Sequence, residues 1–156
     1  MNANEAYEPA IALALAEYAT ALSANDLDGV VEAWAIPAFV IGDGGALPVQ
    51  SQAQVREFFS AAIAGHRARG QVSTHAHLRE MEDLGGGVFW VDSRWPAFDT
   101  HGHEIHSERT RYLMQVDASG KARILVAATL SSAAESVNAA VAAVAHRNDL
   151  TEVHRS

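Results

Sequence analysis

The stretch "EIHSERTRYLMQVDASGKARILVAATL", residues 104–130, decides the fold. In its first half His106, Glu108, Thr110, Tyr112, Met114 and Val116 fall on one side of an extended chain, with Arg109 and Arg111 on the other, which is the two-residue period of a strand. "DASG" (117–120) has the composition of a tight turn, and "KARILVAATL" resumes an extended apolar pattern. Two strands joined by so short a turn run antiparallel. Upstream, "QVSTHAHLREM" (71–81) and "GGVFWVDSRWPAF" (86–98) carry the same period, and "DLGG" and "DTHG" separate them. The second half of the chain is therefore expected to be a meander of strands.

The first half has a different period. Within residues 5–23, Ile11, Leu15, Tyr18 and Leu22 recur at three- and four-residue steps, one stripe of an amphipathic helix. "SANDLDGVVEAW" (23–34) restarts a helix with Asn25 or Asp26 as N-cap and Leu27, Val30, Val31 and Trp34 on its apolar side, and Pro37 ends it. "AFVIGDGGALPV" (38–49) predicts a strand opening into a Gly-rich loop. Ser51 with Gln54 forms a capping box before a third helix whose buried face is Val55, Phe58, Phe59 and Ile63. The alanine-rich "SSAAESVNAAVAAVAHRN" (131–148) predicts a C-terminal helix. Helices followed by a run of strands is the α+β pattern, with helices on one face of the sheet.

A length of 156 residues suits one core. The net charge of -8, with 11 Lys plus Arg and no basic run, gives no footprint for nucleic acid or an anionic membrane surface. The chain has no cysteine, which excludes disulfides, thiolate metal sites and cysteine nucleophiles. The N-terminal stretch has acid where a signal peptide needs base, and no segment offers the roughly 20 apolar residues of a membrane span. A soluble cytoplasmic protein is expected.

With the elements in this order, and with "EYATALSANDLDGVVEAW" and "YLMQVDASGKARI" as its best-matching parts, the chain resembles the nuclear transport factor 2-like superfamily, which includes SnoaL-like polyketide cyclases and ketosteroid isomerases. The resemblance covers about residues 5–130. It implies a cystatin-like α+β barrel, a cone-shaped curved antiparallel sheet wrapped around N-terminal helices, with residues 1–130 as the SnoaL-like domain and 131–156 as its helical extension. Isomerase chemistry of this kind needs a carboxylate base facing two acidic hydrogen-bond donors in an apolar pocket. Tyr18 matches the position of the tyrosine donor, and the second donor's position falls on Tyr112. The base's position falls on Gly42, with Asp43 beside it.

Strand alternation sorts the remaining polar residues into two groups. An outer group gathers Arg79, Asp92, Arg94, Arg109 and Arg111, with His75 and His77, on the face that proteins of this fold use to dimerise. An inner group gathers Tyr18, Trp34, Asp43, Trp95, His106, Glu108 and Tyr112 over an apolar floor of Phe39, Phe58, Phe59 and Met114. The expected function is binding of a small apolar molecule in that cavity by a homodimer. The alternatives are a cofactor-independent acid/base enzyme of isomerase, cyclase or hydrolase type, with Asp43 or Glu108 as base and Tyr18 and Tyr112 polarising a carbonyl, and a non-catalytic protein-interaction module. The histidines are expected to hold no metal: His101 and His103 flank Gly102 at a turn, while His75 and His77 face away from His106.

One consequence follows from composition alone. Protonating all 8 histidines takes the formal charge from -8 to about zero as pH falls through their ordinary pKa of ~6.5. A solubility minimum near pH 5 to 6 is expected, and a solubility curve flat across that range would reject it.

Overall fold

Asn2 opens the first helix, its side-chain oxygen accepting the Glu5 amide at 2.9 Å, and α1 (Ala3–Ala24) follows. The computed structural model describes residues 2–129, so the expected helix within 131–156 lies outside the described residues. Ile11, Leu15 and Tyr18 are buried, as their spacing requires. Burying Ile11 and Leu15 contributes about 1.5–3 kcal/mol each. Asn25 ends α1 in the left-handed conformation, φ 54°, and Asp26 caps the next helix by accepting the Gly29 amide at 3.2 Å. Of the two expected caps, Asp26 is the one used.

Helix α2 (Leu27–Glu32) is shorter than its apolar spacing predicts, because Trp34 already begins the strand β1 (Trp34–Gly42). The ring of Pro37 biases Ile36 toward extended backbone, so the chain straightens ahead of the proline. β2 (Gly45–Val49) returns beside β1 as a hairpin. Helix α3 (Gln52–Ala68) is capped by Ser51, which accepts the Gln54 amide at 3.2 Å, while Gln54 Oε1 accepts the Gln50 amide. Its Val55, Phe58, Phe59, Ala62 and Ile63 are buried.

The strands β3 (Ser73–Thr74), β4 (His77–Gly85), β5 (Val88–Phe98), β6 (Glu104–Val116) and β7 (Ala122–Ala128) complete a sheet of order β2-β1-β7-β6-β5-β3, with β4 also paired to β5. The α+β class stands, with the helices N-terminal to the meander. The sheet is curved and unclosed rather than a complete barrel, and it is mixed rather than purely antiparallel: β7 lies parallel to β1. Alternation specifies which face a side chain takes but not which strand lies next door. The segment expected as one strand over 71–81 is split into β3, which pairs with Ala97 and Phe98 at the end of β5, and β4, which pairs along Val88 to Arg94. Val72 is consequently exposed, whereas His75, His77 and Arg79 point to solvent as alternation predicts.

Gly87 enters β5 with φ 76°, and a Cβ placed there would lie 2.8 Å from the Val116 carbonyl oxygen. That carbonyl's own residue donates its amide to the Gly87 oxygen at 2.9 Å, so neither backbone can retreat cheaply. Gly87→Ala is expected to destabilise the fold by about 1–3 kcal/mol, the scale of local backbone strain. A urea unfolding midpoint unchanged from the parent would refute this.

Candidate functional site

Every layer of the fold contributes to one interior cavity of about 90 Å³. Helix α1 supplies Tyr18, Leu22 and Ser23, and β1 supplies Trp34 and Val40. Helix α3 supplies Phe58, Phe59, Ala62, Ile63 and His66, and the chain leaving it adds Gln71 to Thr74. The sheet adds Trp95 from β5, then His106, Glu108, Thr110 and Tyr112 from β6, with Thr129 beyond β7. The four β6 residues are alternate positions on one strand, which is why they share a face.

Trp95 stands directly across from Glu108 in the β5–β6 register. Its indole donates to Ser93 Oγ at 3.0 Å, and Ser93, fully buried, donates to the Thr110 carbonyl at 2.7 Å. These bonds hold the indole ring against the cavity. Thr110 and Thr129 share a hydroxyl–hydroxyl bond of 2.9 Å, tying the end of β7 to β6. Tyr18 sits among Trp34, Phe59 and Trp95, with ring centroids 6.4, 6.0 and 5.7 Å away. Burial raises the Tyr18 hydroxyl well above its ordinary pKa, and the neighbouring Tyr112 raises it further. Burial likewise raises Tyr112, with a second contribution from the Glu108 charge. Both phenols are therefore neutral hydrogen-bond donors at physiological pH.

Buried polar side chains in proteins nearly always find partners. Here Trp34 Nε1, His66 Nε2, Gln71 Oε1, His106 Nδ1 and Glu108 Oε1 are buried without a hydrogen bond of normal geometry to the protein, and all five residues line this cavity. The indole of Trp34 does interact with the Tyr18 hydroxyl and favours its ionised form slightly. His66 Nε2 lies 3.8 Å from Glu108 Oε1, too long for a direct hydrogen bond. The cavity thus presents donors and acceptors on an apolar wall.

The fold assembles Tyr18, Trp34, Phe58, Phe59, Trp95, His106, Glu108 and Tyr112, which were expected together. It does not bring in three others. Asp43 is exposed in the β1–β2 turn, because β1 continues to Gly42 and the reversal falls on the next residues; it stands outside the cavity and is no candidate base for it. Phe39 is 47 % exposed, since Ala38 and Val40 take the inward positions of β1. Met114 is buried in the core rather than in the cavity wall. His66 and Gln71 were missed. His66 extends the helical stripe of Phe59 and Ile63 by three residues, a signal present in the sequence; Gln71 follows the helix stop at Gly70 and carries none.

The outer face is separate. Asp92 accepts two bonds from Arg109, at 3.0 and 2.7 Å, with Arg79 4.0 Å away, and the Arg109 hydrogen bonds hold its carboxyl below the ordinary range. Arg94 pairs with Glu104 through two bonds of 2.7 and 2.8 Å. At the β5–β6 turn, Asp99 Oδ1 accepts the amides of His101 and His103, which leaves both imidazoles on an exposed hairpin tip. Among the described residues no three His, Asp or Glu side chains converge as a metal site. No helix among them is long and apolar enough to cross a membrane.

Residues 8–132 match the family model described as NTF2-like protein (DUF6841), and the chain belongs to that family. No curated protein matches. Among solved structures, a domain of unknown function with a cystatin-like fold from Nostoc punctiforme aligns with a TM-score of 0.64 at 11% identity, covering 97% of this chain and 98% of that one. An NTF-2 like protein of unknown function from Shewanella oneidensis gives 0.62 at 13% identity, over 80% and 98%. A ketosteroid isomerase-like protein from Erwinia carotovora atroseptica gives 0.58 at 15%, over 83% and 97%. The structural alignments show a shared fold, and at identities this low they show the fold alone.

The raised tyrosines make stability depend on pH in alkali. A group whose folded pKa lies above its unfolded value of about 10 contributes fully below that value and loses its contribution as pH rises toward the folded one. Ionisation of Tyr18 and Tyr112, followed by absorbance near 295 nm, is expected to coincide with the loss of circular dichroism. Tyr112→Phe should remove part of that absorbance step. Full tyrosinate absorbance in a still-folded protein would contradict the burial assignment.

Proposed function

We propose that this NTF2-like chain holds a small, largely apolar molecule in the cavity between α1, α3 and the sheet. The observation that carries the reading is the convergence there of five buried polar atoms lacking normal protein partners. Leaving such a group unsatisfied costs about 1–3 kcal/mol, so a molecule that pairs with several of them regains much of that cost on binding. An apolar wall with a few placed polar groups is the usual form of a ligand site. The volume limits what enters. At about 90 Å³ the cavity is far below the roughly 300–1,000 Å³ of pockets for drug-sized ligands and below the ~150 Å³ that takes one benzene ring, so its occupant is at most about one ring and enters with some widening of the wall.

A second reading, cofactor-independent acid/base catalysis, is favoured by one arrangement: Glu108 faces the same space as two neutral phenols, Tyr18 and Tyr112. A carboxylate base opposite neutral donors suits proton abstraction beside a carbonyl. We further propose a homodimer through the outer sheet face, supported by Trp90, 40 % exposed, beside the Asp92 and Arg109 cluster. Native mass spectrometry of freshly purified protein tests both the ligand and the assembly. A dimer carrying a low-mass adduct is expected, with occupancy reduced by Trp95→Ala, which removes the wall opposite Glu108. An empty monomer would overturn both.

A further inference from the structure

Resting on the cavity reading above, we infer that the polar group recognised there is a hydroxyl, held between His66 and Glu108, and that the ligand is a phenol or cyclic alcohol of about one ring. The His66 Nε2 to Glu108 Oε1 gap of 3.8 Å is too long for a direct bond and short enough for one oxygen to bond both at about 2.8 Å. With Nε2 carrying its proton, that oxygen must accept from the imidazole and donate to the carboxylate. A ligand hydroxyl does both through one atom and can take the place of a water there. A carbonyl cannot donate and an ammonium cannot accept.

The surroundings fit the same ligand. Neither atom has another protein partner, and their side chains are only 19 % and 11 % exposed. Trp95, directly across from Glu108 and fixed by Ser93, supplies a flat wall for a ring, and Ile63 and Phe59 approach from α3 on the same face as His66. The Gln71 amide donates to the His66 carbonyl at 3.0 Å, which holds the end of α3 against the cavity. Gln71 Oε1, buried and unpaired, adds a second acceptor for a further ligand hydroxyl.

The test compares p-cresol with toluene, which differ by the hydroxyl, in NMR titrations of the isotope-labelled full chain. Parent protein is expected to bind p-cresol roughly 10–100-fold more tightly, the share of a charge-assisted hydrogen bond. Glu108→Leu and His66→Phe should each reduce that preference to within about threefold while toluene still binds, which also shows that the variants fold. Should one variant fail to fold, the other decides. Equal binding of the two probes by the parent, or a preference that survives in the folded variant, would overturn the hydroxyl assignment and leave the cavity reading standing. Binding of neither probe would overturn the cavity reading, and this inference with it.

Discussion

Eleven cross-strand pairs join β5 to β6, from Val88 with Gln115 to Phe98 with Glu104, and the rest of the molecule depends on that register. Because side chains alternate, a slip of one residue would exchange the two faces completely. Glu108, Thr110 and Tyr112 would leave the cavity, and Arg109 and Arg111 would enter it. The chain opposes such a slip on both sides. Inside, Phe89, Val91, Ser93 and Trp95 are buried alternately along β5; outside, the two bonds between Arg109 and Asp92 close only in the native pairing.

The same strand pair places an energetic conflict at the centre of the fold. One end of the inner face is ordinary core, built from Phe89, Met114 and Ile124. Further along β6 the side chains become Tyr112, Thr110, Glu108 and His106, and the interior becomes progressively more polar and less buried. A buried carboxylate without a close partner costs stability that an apolar residue of the same size would not. The neighbouring hydroxyls do not satisfy Glu108 Oε1: Ser93 uses its hydroxyl to fix Trp95, and Thr110 uses its own on Thr129. Local satisfaction of neighbouring groups, with polar atoms of Glu108, His66 and Gln71 left over, supports the proposed ligand site.

Much of this was legible one segment at a time. The stripe of Ile11, Leu15 and Tyr18, the Ser51 cap, the turn character of "DTHG" and the shared face of Glu108 and Tyr112 all follow from short-range rules, because helix and strand periods are set within a few residues. Trp34 was misplaced for the same reason. Its spacing from Val30 and Val31 satisfies a helix, and only the constraint at Pro37 shows that the chain has already become extended.

By itself, then, the sequence determined the succession of helices and then strands and the inward side of β5 and β6, since these depend on neighbours along the chain. Tertiary structure alone decided that β7 lies parallel to β1, that Phe39 faces out, that Asp43 stays in an exposed turn, and that His66 approaches Glu108 in a cavity that Gln71 also lines. Those outcomes require residues dozens of positions apart to come together. Periodicity aims a side chain at the interior, but packing chooses what it meets there.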